Sequence, residues 1–266
     1  MPRLAPPSPV RDGSDQINNG LVGAWMLSDG RGQPTDWSDR ASSLVFQNGS
    51  VGDRFGFGPT GYCQGAVIYS QYTPIKTLSG AWSVAFWFSY SGSGSNIALS
   101  TRQPTDTSCD IQISNSQIHC DIGTGSSWLS TSADATVSIT SNVWYSIVLT
   151  ASAAGYAIYL NGKLSGSGAL GGSPLLYDTS RNLQFGNYNS GSPFGGKLAN
   201  LRLFSRVITP TEAIRLYRQP LAGVLLPKRR VYNISGFTAT IAETTATSDT
   251  LSATLAATAS RAETTA

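Results

Sequence analysis

Short runs of β-branched and aromatic residues recur between clusters of Gly, Ser, Asn and Asp from residue 20 to about residue 200. Each run has the length of one strand, and each cluster supplies the residues that tight turns require. Only 12% of the 266 residues are charged and 28 are Gly, which is typical of a chain with many turns. The pattern predicts an all-β fold, built as a two-sheet antiparallel sandwich or jelly roll. The predicted strands are Leu21–Leu27, Ala66–Tyr69, Ser83–Tyr90, Cys109–Ile113, Gln117–Ile122, Trp144–Thr150, Tyr156–Leu160, Leu183–Gly186 and Lys197–Phe204.

Two hairpins can be predicted in detail. Asn161 and Gly162 separate two strand-like runs, and an Asn-Gly pair accepts the two positive φ angles of a type I′ turn. A second turn at Asn115-Ser116 pairs Ile113 with Ile118, Ile111 with Cys120 and Cys109 with Ile122, with all six on the core side. Cys109 and Cys120 are then diagonal neighbours, too far apart for a disulfide, so we expect two buried free thiols.

Composition divides the chain into four segments. Residues 1–19 hold four prolines and predict an extended N-terminal arm, and residues 20–220 predict the jelly roll. One short helix near its C-terminal end follows the capping box Thr209-Pro210-Thr211-Glu212. Residues 221–235 form a basic connector. Residues 236–266 contain ten Thr and nine Ala, and Ala242–Ala246 recurs as Ala262–Ala266, which predicts a repeat-like tail that needs neighbouring subunits to become ordered.

Several functional classes are excluded at this point. A net charge of +3, from 18 Lys and Arg against 15 Asp and Glu, is too dilute for a nucleic-acid-binding surface. No run approaches the roughly 18 apolar residues of a membrane span, so no membrane insertion is predicted. Residues 1–7 lack the apolar region of a secretory leader. The three cysteines have no Cys-x-x-Cys spacing, which predicts neither a disulfide framework nor a zinc site.

A series of segments, taken in order, resembles the laminin-G-like (concanavalin A-like lectin/glucanase) jelly-roll family. They are Gly20–Trp25, Asp36–Asp39, Trp82–Phe88, Val143–Thr150 with Ile158–Gly162, Leu183–Gly186 with Phe194–Phe204, and the helix that ends at Leu216-Tyr217. The run from Pro220 to Tyr232 resembles the ends of such domains in bacteriophage-encoded proteins. The resemblance implies a jelly roll from Gly20 to Tyr217. Four tryptophans lie within strand-like segments and are expected to pack in the core: Trp25, Trp82, Trp87 and Trp144.

Catalysis is not expected. Glucanases of this family carry Glu-x-Asp-x-x-Glu on one strand, and glycosidases in general need two carboxylates at a fixed separation. Between residues 20 and 217 this sequence has a single Glu, Glu212, which the capping box already uses. A Ser-His-Asp hydrolase would have to use His119, the only histidine, and the sequence lacks the Gly-x-Ser-x-Gly motif.

Metal sites have two candidate pairs. The predicted hairpin register sets Asp110 opposite Asp121 on the solvent side, either as an exposed pair that water screens, which we favour, or as part of a Ca²⁺ site. Members of the family often bind a structural Ca²⁺ through loop carboxylates, which implies Asp36 and Asp39, but Asp39 stands where the family has Gly. The alternative for Asp36 is a side chain that closes an Asx-type turn. No other cofactor is predicted.

Carbohydrate binding has four candidate residues. Trp37, Trp128, Tyr188 and Phe194 are loop aromatics, each of which either stacks on a sugar or covers the core. Lys228, Arg229 and Arg230 are candidates for attachment to an acidic partner surface, and the alternative is a solvated joint before the tail.

These observations lead to a functional hypothesis. It is a non-enzymatic protein of the virion surface, such as a head fibre, decoration protein or tail accessory, that displays a lectin-like jelly roll. The termini would serve attachment to other virion proteins or homo-oligomerisation, with a trimer as the expected state, and the displayed domain would adhere to host glycans. The alternatives are a stand-alone, extracellular carbohydrate-binding module and, less favoured, a glycan hydrolase.

Overall fold

The computed structural model describes residues 10–11, 14–25, 38, 43–52, 62–72, 78–93, 96–101, 107–176, 184–186, 194–225, 228–234 and 237–243. For residues 10–11, 43–52, 62–72 and 224–243, the description is of the backbone. The chain divides into two compact units, Gly13–Gly223 and the combination of Met1–Asp12 with Val224–Ala266. No helix within the described residues is long and apolar enough to cross a membrane.

In the described part of the larger unit there are thirteen antiparallel strands, β2 to β14, and one α-helix, α1, at Pro210–Arg218. The strands are β2 Leu21–Trp25, β3 Ser43–Gly52, β4 Tyr62–Tyr72, β5 Ala81–Tyr90, β6 Ile97–Ser100, β7 Thr107–Ile113, β8 Gln117–Gly125, β9 Trp128–Thr136, β10 Tyr145–Ser152, β11 Gly155–Leu160, β12 Lys163–Gly168, β13 Gln184–Phe185 and β14 Gly196–Phe204. In the smaller unit, β1 (Val10–Arg11) pairs with β15 (Val224–Leu225), and β16 (Lys228–Ile234) pairs with β17 (Phe237–Glu243).

The thirteen strands form one ladder that folds over into two layers. The first layer has the order β12-β11-β10-β5-β14, with β2 also paired to β14, and the second has the order β13-β6-β7-β8-β9. Strand β4 links the layers, because it pairs with β14 through Cys63 and Gln64 and with β13 through Ile68 and Tyr69. This is the two-layer jelly-roll sandwich that the sequence predicts.

The core lies between the two layers and follows the alternation of each strand. From the first layer it receives alternate residues such as Val84, Phe86 and Phe88 of β5. From the second it receives the six residues of the predicted hairpin, Cys109, Ile111, Ile113, Ile118, Cys120 and Ile122, each with 0% exposure. The register predicted for this hairpin is confirmed pair by pair, and both cysteines are buried and free as predicted.

Local turn and cap chemistry also follows the prediction. Asn161 and Gly162 have φ angles of 51° and 76°, as a type I′ turn requires. The Thr209 side chain accepts from the Glu212 backbone N–H while the Glu212 side chain accepts from the Thr209 N–H, so the capping box starts α1. Helix α1 covers the outer face of the first layer, where Tyr217 stacks on Trp87 at 5.8 Å between ring centroids.

Two tryptophans depart from their predicted place. Trp25 and Trp82 are fully buried in the core as predicted. Trp87, however, faces away from the core and is half-buried under α1, because it alternates with the inward-facing Phe86 and Phe88. Trp144 is also half-buried and lies just before β10.

Candidate functional site

The outer face of the second layer carries a group of polar and charged side chains that lie on neighbouring strands. Strand alternation places the side chains between the core positions on this face, and the register aligns them across four strands. We call this surface the polar face and define it as Ser100 of β6, Asp110 and Gln112 of β7, His119 and Asp121 of β8, and Asp134 of β9.

One row of the polar face is buried. Asp110 pairs directly with Asp121, as predicted, and Ser100 lies opposite Asp110 on the other side. Asp110 is 1% exposed and Asp121 is 5% exposed, so the prediction that water screens this pair is wrong. The Ser100 hydroxyl donates to Asp110 Oδ1 at 2.5 Å. This row therefore lies on the outer side of the strands, away from the core, and is nevertheless shielded from solvent.

The second row is open to solvent and centres on His119. Its Nδ1 lies 2.7 Å from Asp134 Oδ1, and its Nε2 lies 3.1 Å from Asp121 Oδ1. The contact with Asp134 is a hydrogen bond, and the contact with Asp121 is an approach of the ring to a nearly buried carboxylate. About 30% of the His119 and Asp134 side chains is exposed, against 7% for Asp121. The polar face thus has a solvent-exposed row at His119 and Asp134 and a buried row at Asp110 and Asp121.

Trp128 lies at the end of the same hairpin. The register pairs it with Gly123, two residues beyond Asp121 and of the same parity, and the side chain is half-buried. Thr124, Ser126 and Ser127 form the polar turn beside it, with Thr124 N–H donating to the Ser127 carbonyl at 2.8 Å. An aromatic ring therefore lies beside groups that can exchange hydrogen bonds with sugar hydroxyls.

Of the other three predicted sugar-binding aromatics, one is buried and two lie outside the described residues. Phe194 is 3% exposed and packs on Tyr90 at 5.6 Å between centroids, so of its two predicted roles the structure gives it the one in the core. It belongs to the core because it comes directly before β14, where the chain re-enters the sandwich. Trp37 and Tyr188 lie outside the described residues.

The described residues do not fit a structural Ca²⁺. No group of three or more His, Cys, Asp or Glu among them is arranged around a common point. Asp110 and Asp121 provide two carboxylates, whereas Ca²⁺ takes six to eight oxygen ligands. Asp36 and Asp39 lie outside the described residues, so the Ca²⁺ site at that turn stays a prediction. Lys228, Arg229 and Arg230 begin β16, and their side chains are likewise not described.

The remaining reactive groups of the described jelly roll are held in structural roles. Burial, together with the charges of Asp121, Asp134 and Asp110, raises the pKa of the Cys120 thiol well above its ordinary value, so it stays protonated and unreactive. Glu212 receives both terminal nitrogens of Arg206, at 2.6 and 2.8 Å, in addition to its capping contacts. The one glutamate of the predicted domain is therefore committed to the helix.

Comparison with known proteins agrees with this architecture. The model of the family described as the concanavalin A-like lectin/glucanases superfamily matches residues 64–213, more than half of the chain. The chain belongs to this superfamily. The match leaves out Gly20–Trp25 and Asp36–Asp39, whose resemblance to the family was noted from sequence. No curated protein matches the sequence of this chain significantly.

Solved structures of superfamily-like fold include several binding domains. The botulinum neurotoxin serotype G binding domain is 17% identical with a TM-score of 0.60, and the match covers 79% of this chain and 54% of that one. The binding domain of Paraclostridial Mosquitocidal Protein 1 is 13% identical with a TM-score of 0.61, covering 86% and 68%. Domain 4 of AbnA, a GH43 extracellular arabinanase from Geobacillus stearothermophilus solved with arabinotriose, is 15% identical with a TM-score of 0.56, covering 74% and 98%.

At these identities the likeness concerns the fold alone. The chain spans about half the length of the neurotoxin serotype G binding domain but nearly all of the arabinanase domain. The sequence missed Asp134, because β9 is rich in Ser, Thr and Ala and was not predicted as a strand. The alternation of Ala133 and Ala135 with polar neighbours is the sequence feature that could have indicated this strand.

Proposed function

We propose that this protein is a non-enzymatic recognition protein of a virion surface, whose jelly roll binds host glycans at the open edge of the polar face. The observation that carries the glycan site is the solvent-open row formed by Gln112, His119 and Asp134. Trp128 pairs with Gly123, four residues further along β8 than His119 and so about 13 Å from it. Amide, imidazole and carboxylate groups supply the directional hydrogen bonds of a sugar site, and the indole supplies an apolar surface.

The binding role is supported by what the carboxylates do. Glu212 caps α1, and Asp110 is buried, so neither can approach a glycosidic bond. Glycosidic cleavage needs two accessible carboxylates on opposite sides of that bond. In the proposed site Asp134 is the accessible carboxylate and Asp121 is 7% exposed, so we propose that the site binds a sugar without cleaving it.

The display role is supported by the division of the chain. Residues from both ends, Met1–Asp12 and Val224–Ala266, make up a unit separate from the jelly roll. The Thr- and Ala-rich composition of residues 236–266 suits packing against copies of itself in a symmetric assembly, such as a trimer on a phage particle. In this proposal the smaller unit attaches the protein to other virion proteins and the jelly roll contacts the host.

A glycan array with the full chain tests the binding role. Trp128→Ala and Asp134→Asn should each weaken binding to any glycan found by at least tenfold. The matched control is Trp144→Ala, a second half-buried tryptophan that lies on the other layer. If no glycan binds, or if all three variants bind as wild type, the polar face is not the sugar site.

Two measurements test the display role. Mass spectrometry of purified particles should find the chain, and failure to find it would contradict a virion role. Light scattering coupled to size-exclusion chromatography should show an oligomer for the full chain and a monomer for a chain ended at Ser235. Two monomers would contradict assembly through the tail.

A second candidate is a carbohydrate-binding module that acts without a virion. The domain of the arabinanase was solved with arabinotriose, and this chain matches 98% of its length. Glycan binding by a chain that is a monomer and is missing from particles would favour this second candidate.

A further inference from the structure

Arg202 is a fully buried cation in the middle of β14. It faces away from the core, on the side of the first layer that α1 covers, and it is 2% exposed. Its cross-strand partners are Ala24 of β2 and Ala85 of β5, and these two small residues leave room for its long side chain. Burial lowers the pKa of Arg202 to about 10, so it remains charged at neutral pH.

The Arg202 guanidinium is satisfied by the chain segment that leaves the jelly roll. Its Nη1 donates to the Ala222 carbonyl at 2.7 Å, and its Nη2 donates to the Pro220 carbonyl at 2.7 Å. Its Nε donates to Asn200 Oδ1 at 3.1 Å, while Asn200 Nδ2 donates to the same Pro220 carbonyl at 2.5 Å. One buried side chain therefore binds two carbonyls of the trailing connection, residues 219–223, and Asn200 supports it from the same strand.

The segment that leads into the jelly roll is bound to the trailing connection. Within this leading connection, residues 15–19, the Asn18 side chain is buried and donates to the Gly223 carbonyl at 2.8 Å. Asp15 accepts from two guanidinium nitrogens of Arg215 on α1, at 2.5 and 2.7 Å. Gly223 has a φ of 78°, and a Cβ there would lie 2.5 Å from Asn18 Oδ1, so only glycine fits this contact.

We propose that Arg202 and Asn18 form a clasp that fixes the two ends of the jelly roll side by side, so that the arm and the tail act as one attachment element. The segments that continue from these ends pair with each other, Val10 with Leu225 and Arg11 with Val224. The chain therefore enters and leaves the jelly roll at neighbouring points, which the clasp holds together. Arg202 acts as a positioning residue, and the proposal does not depend on glycan binding.

Hydrogen exchange of the full chain tests the clasp. In Arg202→Met the aliphatic stem remains while the three donors are lost. Peptides that cover residues 15–19 and 219–223 should exchange at least tenfold faster, because these short segments lie outside the strands and their amides are held mainly by local turn hydrogen bonds. Peptides of β5 and β10 should be unchanged. Arg202→Lys, with one point charge, should fall between the two. The matched control is Arg218→Met, on the exposed end of α1, with wild-type exchange expected.

Asn18→Ala keeps the test decisive if Arg202→Met destabilises the whole domain. It removes the bond from the Asn18 side chain to the Gly223 carbonyl and leaves Arg202 and the bond from the Gly223 backbone to Asp15 in place. It should speed exchange at both ends. Acceleration at the trailing connection alone, in either variant, would overturn the clasp and reduce Arg202 to an anchor for one segment. Unchanged exchange at both ends in Asn18→Ala would overturn it as well.

Discussion

Ser83 is the residue on which the start of helix α1 depends most directly. It lies on the outer side of β5 with 0% exposure, opposite Phe204 of β14. Its hydroxyl donates to the Arg206 carbonyl at 2.7 Å and accepts from the Ile208 N–H at 3.0 Å. One hydroxyl thus satisfies two backbone groups in the turn between β14 and the helix cap.

Ser83→Ala should destabilise the protein by about 3 kcal/mol, because a buried backbone group without its partner costs roughly 1–3 kcal/mol and this change leaves two. For a domain of this size, that corresponds to a fall of about 6–12 °C in Tm. Urea unfolding followed by tryptophan fluorescence measures the free energy directly. Trp87 lies under α1 and Trp82 adjoins Ser83 in β5, so the signal should report on the affected region.

Ser167→Ala, on the exposed strand β12, is the matched control and should change stability by less than about 0.5 kcal/mol. A free energy of unfolding for Ser83→Ala within 1 kcal/mol of wild type would refute the reasoning. It would mean that water reaches the Arg206 carbonyl and the Ile208 N–H once the hydroxyl is gone.

Three further predictions concern the cap, its acid and the hairpin turn. Thr209→Ala removes the N-cap side chain and should lower the free energy of unfolding in urea by about 1 kcal/mol. Thr211→Ala, at the second residue of the helix, should leave it unchanged. Burial alone would raise the pKa of Glu212, but hydrogen bonds from Arg206 and Thr209 outweigh it and hold the pKa below its ordinary 4.5. The stabilisation is therefore complete above that pH and lost as pH falls through the lowered value. Unfolding of wild type and Glu212→Gln from pH 7 to pH 3 should show their difference shrinking; a constant gap would contradict this. Asn161→Ala should cost about 2 kcal/mol, from its left-handed φ and the lost bond from the Ser146 N–H, and thermal unfolding measures it.

Sequence was sufficient where a local rule decides the structure. The Asn161-Gly162 turn, the capping box and the core side of β7 and β8 each follow from residues close together in the chain. Strand β12 was predicted only at its start, Lys163-Leu164, as the second arm of that hairpin, because the Ser and Gly residues that follow give little β signal. Gly166 allows β12 to approach β9 closely, because a Cβ at this position would lie 2.4 Å from the Asp134 carbonyl oxygen. The outer strands of the two layers meet at that glycine.

Exposure on the polar face could not be predicted from the strands themselves. Alternation correctly placed Asp110 and Asp121 on the side away from the core, but their burial depends on chain distant in sequence. Near them, the Ser108 hydroxyl donates to the Leu175 carbonyl at 2.6 Å, and the Leu175 N–H donates to the Gly123 carbonyl. Residues some 50 to 70 positions away thus reach the same strands as the aspartates.

Arg202, on the other layer, also depends for its burial on residues distant in sequence. In sequence it is one charged residue in a predicted strand, where it would be expected to face water. Its burial requires Ala24 and Ala85 as neighbours on two different strands and two carbonyls from the segment after α1. None of these is a property of β14. Because a buried charge is costly unless its hydrogen bonds are made, the segment that supplies those carbonyls must hold one position. The residue that departs most from the pattern of its strand is therefore the one that fixes where the chain leaves the domain.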